Sequence, residues 1–120
     1  NQKKSKEQQI SLENSIKMNP NKSVCYRDLG ILLYRQNKVD VAMFQFEKAL
    51  DLNYADCESH FNLGKIMSQM KNYKDAEQHF LSALDIYPEF LDCKSELADL
   101  EFKIKKKKKE NKTSIEKKKC

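Results

Sequence analysis

Two histidines, four cysteines and one run of lysines are the residues of this 120-residue chain whose chemistry could make a site. His60 and His79 fall on separate helical stretches, with no cysteine or carboxylate pair near either at the spacing of a ligand set. His60 therefore reads as a packing residue and not as a general base or metal ligand. Cys25, Cys57, Cys93 and Cys120 lie about thirty residues apart and include no C-x-x-C pair, the arrangement that zinc and dithiol sites use. They are expected to be reduced thiols, the first three behaving as small, partly buried hydrophobes and Cys120 standing exposed in a charged tail. Asp40, Glu47, Asp75 and Glu77 read as solvated helix charges, and no Gly-rich phosphate loop, G-x-S-x-G or H-E-x-x-H is present, so neither phosphate cradling nor an activated nucleophile is supported. The expectation is a non-enzymatic protein with no catalytic residue, no metal and no cofactor.

The lysines are concentrated at one end. Residues 103–120 hold ten Lys against Glu110 and Glu116, a net of +8 in a chain whose total is +5, so the first 102 residues carry −3. Basic character belongs to the tail, and nucleic acid is expected as a partner only through it. The run at 105–109 has three readings: a nuclear import address, a polyanion contact that weakens steeply with salt, or a plain solubilising end favoured by the helix dipole, the last being preferred. Composition sets the class. With 34% charged and 39% hydrophobic residues but only two Gly and two Pro, the chain is expected to be helix-rich and soluble. No apolar run approaches the roughly 18 residues of a membrane span, and residues 1–9 lack the apolar core of a secretory signal. No membrane partner and a cytoplasmic location follow as expectations, with a nuclear one open through residues 105–109. A start at Asn1 and a close on Cys120 suggest a piece of a longer polypeptide.

The elements that must position any site come from an internal repeat. Shifting the sequence by 34 residues lays 23–54 on 57–88 with seven identities: Leu29 on Leu63, Gly30 on Gly64, Ala42 on Ala76, Phe46 on Phe80, Ala49 on Ala83, Leu50 on Leu84 and Asp51 on Asp85. Within a unit, Leu29, Leu32 and Leu33 and then Ala42, Phe46, Ala49 and Leu50 keep the i, i+3, i+4, i+7 spacing of two amphipathic helices. Gln36-Asn37-Lys38 and Lys71-Asn72 supply tight turns, with Asn able to take a left-handed conformation. Pro88 cannot continue the helix before it. Gly30 with Ala42, and Gly64 with Ala76, are expected at the helix crossings, with Phe46 and Phe80 as knobs and Ala49 and Ala83 making room for the next unit.

The pattern Tyr26-x2-Leu29-Gly30-x2-Leu33 followed by Ala42, Phe46 and Ala49 resembles the tetratricopeptide repeat. His60, Leu63, Gly64, Met67, Ala76, Phe80, Ala83 and Pro88 give a second match. Tyr26 and His60 replace the usual Trp, Leu33 and Met67 the usual Tyr, and Tyr54 the first Pro. The resemblance implies an all-α solenoid of antiparallel helix hairpins wound in a right-handed superhelix. Residues 1–22 are the second helix of a preceding unit, 23–56 and 57–90 two full units, 91–108 a capping helix and 109–120 a Lys-rich disordered tail.

In that architecture the first helix of each unit lines the concave side. The site expected there holds Arg27, Ile31 and Tyr34 from one unit and Phe61, Asn62, Lys65 and Gln69 from the next, apolar anchors beside adaptable polar groups that suit a peptide or partner helix. Chaperone-binding members of the family hold a terminal carboxylate with basic residues and Asn from successive first helices. Arg27 and Asn62 match two of those places, but Ile31 stands at a second Asn and Ser95 and Asp99 at the basic places, so that clamp is incomplete. The resemblance thus implies a protein-binding scaffold, with a recruiting arm of a larger enzyme, as in some glycosyltransferases, as the alternative. Because short arrays are marginal alone, self-association through the exposed end helices, at Ile10, Leu12 and Ile16, is also expected.

Overall fold

The structure, a computed structural model, describes residues 2–119, with the side chains of residues 3–109. Its elements are α1 (Gln2–Met18), α2 (Ser23–Arg35), α3 (Val39–Leu52), α4 (Cys57–Gln69), α5 (Tyr73–Ile86) and α6 (Leu91–Lys119). The boundaries recur at the 34-residue stride. α2 and α4 start and stop at equivalent positions, α3 and α5 do likewise, and α6 begins one stride after α4.

The turns are built by register more than by residue type. Among the described residues, Asn37 and Lys71 are the two non-Gly residues with positive φ, at 66° and 64°. Each sits just past the end of a first helix, where the next amide reaches back five residues: Lys38 N–H donates to the Leu33 carbonyl at 2.9 Å and Asn72 N–H to the Met67 carbonyl at 2.9 Å. These bonds satisfy carbonyls that the helix end would otherwise leave open. In the second unit the left-handed residue is thus Lys71 and not its neighbour Asn72, because the hydrogen-bond closure fixes which position must turn.

Packing differs from the expected small-on-small crossing. A Cβ placed on Gly30 would lie 2.8 Å from Cε1 of Phe46, and one on Gly64 would lie 2.6 Å from Cε1 of Phe80. Each glycine is the hole for a phenyl knob one helical turn beyond the alanine at 42 or 76. Phe46 and Phe80 are fully buried, each burial favouring the fold by about 1.5–3 kcal/mol. The two cores straddle unit boundaries. One joins Leu29, Leu33, Ala42 and Phe46 to Leu63 and Ile66 of α4; the other joins Ala76, Phe80 and Ala83 to Cys93, Leu97 and Leu100 of α6. No unit closes its core alone, which is how stacked repeats gain stability.

Two end regions depart from expectation. Leu12 and Ile16 are half-buried against the first core, leaving Ile10, 58% exposed, as the outward member of the trio. Association through Leu12 and Ile16 would require α1 to leave α2. The backbone of α6 continues as helix to Lys119, past residue 108 where the cap was expected to end, in keeping with the helix propensity of Lys and Glu. Apart from Lys109, the tail at 109–120, Cys120 included, lies outside the residues whose side chains are described.

Candidate protein-binding face

First helices touch their counterparts in turn, α2 against α4 and α4 against α6, while among the described residues α3 and α5 do not reach each other. The layers therefore fan, and the curve is concave on the α2, α4 and α6 side. What that face offers depends on which of its side chains are already engaged.

Arg27 is the most committed. Its Nη1 donates to both carboxylate oxygens of Asp56 at 3.4 Å, and its Nε lies 3.6 Å from Asp28 and 3.5 Å from Glu58. Burial opposes the guanidinium charge, but Asp56 foremost, then Glu58 and Asp28, outweigh it and hold the pKa above its ordinary value. Asp56 in turn accepts from the Ser59 amide at 3.2 Å, capping α4. Arg27 is thus a bolt between the two units, and its charge is answered from within the chain. Asn62 donates its amide to the Glu58 carbonyl one turn back at 2.8 Å. Phe61 packs on Phe80 and Phe90, with ring centroids 6.1 and 4.8 Å apart. Ile31 is half-buried against the first core.

The other three converge. Lys65 Nζ sits 5.8 Å from the Tyr34 ring centre and 5.2 Å from that of Phe61, within cation–π range of both. Gln69 Nε2 donates to the Tyr34 hydroxyl at 2.6 Å. Tyr34 on α2 and Lys65 and Gln69 on α4 thus form one continuous surface across the unit boundary. With its oxygen accepting from Gln69, the Tyr34 hydroxyl keeps its proton to donate, and Gln69 Oε1 keeps its lone pairs. A donor and an acceptor side by side, over an aromatic floor with one cation, match the carbonyl and amide of a peptide backbone.

A polar pair went unrecognised in the sequence. His60 Nδ1 lies 3.2 Å from His79 Nδ1, and His60 Nε2 lies 3.0 Å from the Tyr54 carbonyl. A carbonyl only accepts, so Nε2 of His60 carries the proton, and its Nδ1 accepts from Nδ1–H of His79. Burial lowers the pKa of both rings, and for His79 the neighbouring His60 adds to the effect. The pair serves the fold. The same six-residue contact recurs one stride earlier, where the Tyr26 hydroxyl donates to the Pro20 carbonyl at 3.0 Å. A polar-tipped ring at this place, in Tyr26 and in His60, could have suggested the contact with the preceding loop; nothing in the spacing pointed to His79. Among the described residues no three His, Cys, Asp or Glu side chains converge as metal ligands, and no helix is long and apolar enough to cross a membrane.

Residues 57–90 match the family model described as Tetratricopeptide repeat. Residues 57–90 thus carry a tetratricopeptide repeat. The fold agrees over a longer span. The first TPR of Spaghetti (RPAP3) bound to HSP90 peptide SRMEEVD superposes with a TM-score of 0.79, covering 86% of this chain and 82% of that one at 17% identity. The crystal structure of MamA gives 0.73 over 80% and 56%, also at 17% identity. Among curated proteins, Protein O-mannosyl-transferase Tmtc3 of Drosophila melanogaster is 26% identical over 74 residues, 62% of this chain. The Peroxisomal targeting signal receptor of Candida glabrata is 29% identical over 73 residues, 61% of the chain. The matched stretches span 8% and 12% of those two proteins' own lengths.

Proposed function

We propose that this tetratricopeptide chain is a non-enzymatic protein-interaction module that holds a peptide or partner helix along the α2 and α4 face. The observation that carries the reading is the Tyr34, Lys65 and Gln69 cluster, in which side chains from successive units hold one another in place before any partner arrives. Such preorganisation lowers the ordering cost of binding. Tyr34 and Lys65 contact the partner's side chains, and the Tyr34 hydroxyl and Gln69 pair with its backbone. Phe61 and Ile31 support the floor from below. Arg27 and Asn62 shape the edge without reading partner charge, since the Arg27 guanidinium is ion-paired with Asp56 and Glu58 and the Asn62 amide donates to the Glu58 carbonyl.

The test is affinity capture with the chain and with a Tyr34→Ala, Lys65→Ala, Gln69→Ala variant, partners being identified by mass spectrometry and helicity by circular dichroism. Phe61 is left intact because it belongs to the second core. The expected outcome is an unchanged fold with loss of the captured partners. An unchanged partner set would refute the face.

A second reading is a recruiting arm within a larger enzyme. It is favoured by the match to the O-mannosyl-transferase, and the full-length coding sequence decides it: repeats continuous with a transferase domain support it, and repeats without one remove it.

A further inference from the structure

Beyond the α2 and α4 face, six lysines gather where the turn before α5 meets α6. Two adjoining clefts of about 500 and 400 Å³ open there. Lys71 lines them from the turn, Lys74 from the start of α5, and Lys103, Lys106, Lys107 and Lys108 from α6; Lys71, Tyr73 and Lys107 are common to both. All six lysines are exposed, and among the described residues none is ion-paired. Lys107 Nζ rests over the Tyr73 ring at 5.6 Å. Among the described residues that line the clefts, Glu77 is the one carboxylate.

We infer that this double cleft is a docking site for a short acidic polypeptide segment. Lys103, Lys106 and Lys107 recur at i, i+3 and i+4, so their ammonium groups line one helix face over about 6 Å, and Lys71 and Lys74 face them across the opening. Like charges one turn apart destabilise a helix, and a strand or helix bearing several Asp or Glu side chains relieves that repulsion. Three features favour a peptide over nucleic acid. The Tyr73 face is already covered by Lys107, so no free ring is offered for base stacking of the kind single strands require. Among the described residues that line the clefts there is no arginine to grip phosphates bidentately. Glu77 stands on the wall, where a polymer charged at every step would be repelled and a peptide can place an uncharged residue. The site draws on Lys71, Tyr73 and Lys74, which lie outside the basic run, and shares no residue with the α2 and α4 face.

The experiment is fluorescence anisotropy of the full chain with a capped, dye-labelled peptide of alternating Glu and Ala. Its Gln counterpart, an oligothymidylate, and phosphatidylserine-containing vesicles serve as the other arms. The Glu peptide is expected to bind at least about tenfold more tightly than the Gln peptide and to weaken as salt rises. Lys71→Glu with Lys74→Glu is expected to lower that affinity about tenfold, as is Lys103→Glu with Lys107→Glu. Lys71→Gln with Lys74→Gln gives a milder version should the charge reversals disturb folding. The Tyr34→Ala, Lys65→Ala variant should bind the Glu peptide like the parent. The inference is overturned if the Lys71 and Lys74 changes have no effect, since the α6 lysines would then act alone. Tighter binding of oligothymidylate or vesicles than of the Glu peptide also overturns it. So does loss of the Glu peptide on the Tyr34 and Lys65 variant, which would place the acid on the other face.

Discussion

Replacing Gly64 by Ala tests the packing logic most sharply, because two effects of known sign oppose each other. Ala is the better helix former by about 1 kcal/mol, so on propensity alone the variant gains stability. The structure gives the other side. The new Cβ would stand 2.6 Å from Cε1 and 2.7 Å from Cδ1 of Phe80, where carbon atoms prefer about 3.5–4.0 Å, so the ring must retreat by about 1 Å. Phe80 is fully buried and packs against Phe61, which leaves it no open space to enter. Overpacking of this kind costs about 1–3 kcal/mol, and the net expectation is destabilisation by about 1 kcal/mol or more. Gly30→Ala should cost less, since its contact with Phe46 is looser at 2.8 Å. Thermal and urea unfolding followed by circular dichroism provide the measurement, at about 4 °C per kcal/mol for a chain of this length. Adding Phe80→Leu to Gly64→Ala should recover part of the loss by removing the opposing ring edge. A Gly64→Ala chain as stable as the parent, or more so, would refute the knob-and-hole account.

Three other outcomes follow from the geometry. Both His60 and His79 have pKa values lowered by burial below the ordinary 6.5. The unfolded chain therefore binds more protons just below pH 6.5, and the pair's stabilisation is complete above that value and falls as pH drops toward the folded pKa values. Unfolding midpoints measured from pH 7.5 down to 5 should decline, and His79→Gln should flatten the decline; equal slopes in parent and variant would rule it out. Lys71→Asn should stabilise the chain by up to about 1 kcal/mol, because Asn bears the left-handed conformation at lower cost, and a lower urea midpoint would contradict this. Cys93 is buried, donates to the Phe80 carbonyl at 3.4 Å, and has its pKa pushed up to about 11, chiefly by burial. At pH 8 alkylation of Cys93 should proceed only as the chain unfolds; labelling in the folded state, mapped by peptide mass, would disprove it.

The helices and the stride between them were legible because amphipathic periodicity and turn chemistry are local properties, repeated twice in Leu29, Gly30, Phe46 and their counterparts 34 residues on. The repeat register says which positions lie off the main hydrophobic stripe of α2 and α4, yet Ile31, Tyr34 and Phe61 among them pack partly against the two cores. Which of them stay available was not legible. Arg27 and Asp56 are 29 residues apart, His60 and His79 19 apart, and Tyr34 and Gln69 35 apart. Each pairing depends on how far one helix slides and turns against the next, a quantity that side-chain spacing along a single helix does not contain. The sequence alone determined that helical hairpins stack at a fixed interval, because hydrophobic stripes must be buried and each unit can bury its own only against a neighbour. Only the tertiary structure decided that Phe46 and Phe80 enter the glycine holes, that Arg27 is spent on joining units, and that Lys71 and Lys74 come to face the lysines of α6. Those outcomes rest on distances between helices, set by the packing of all their side chains at once.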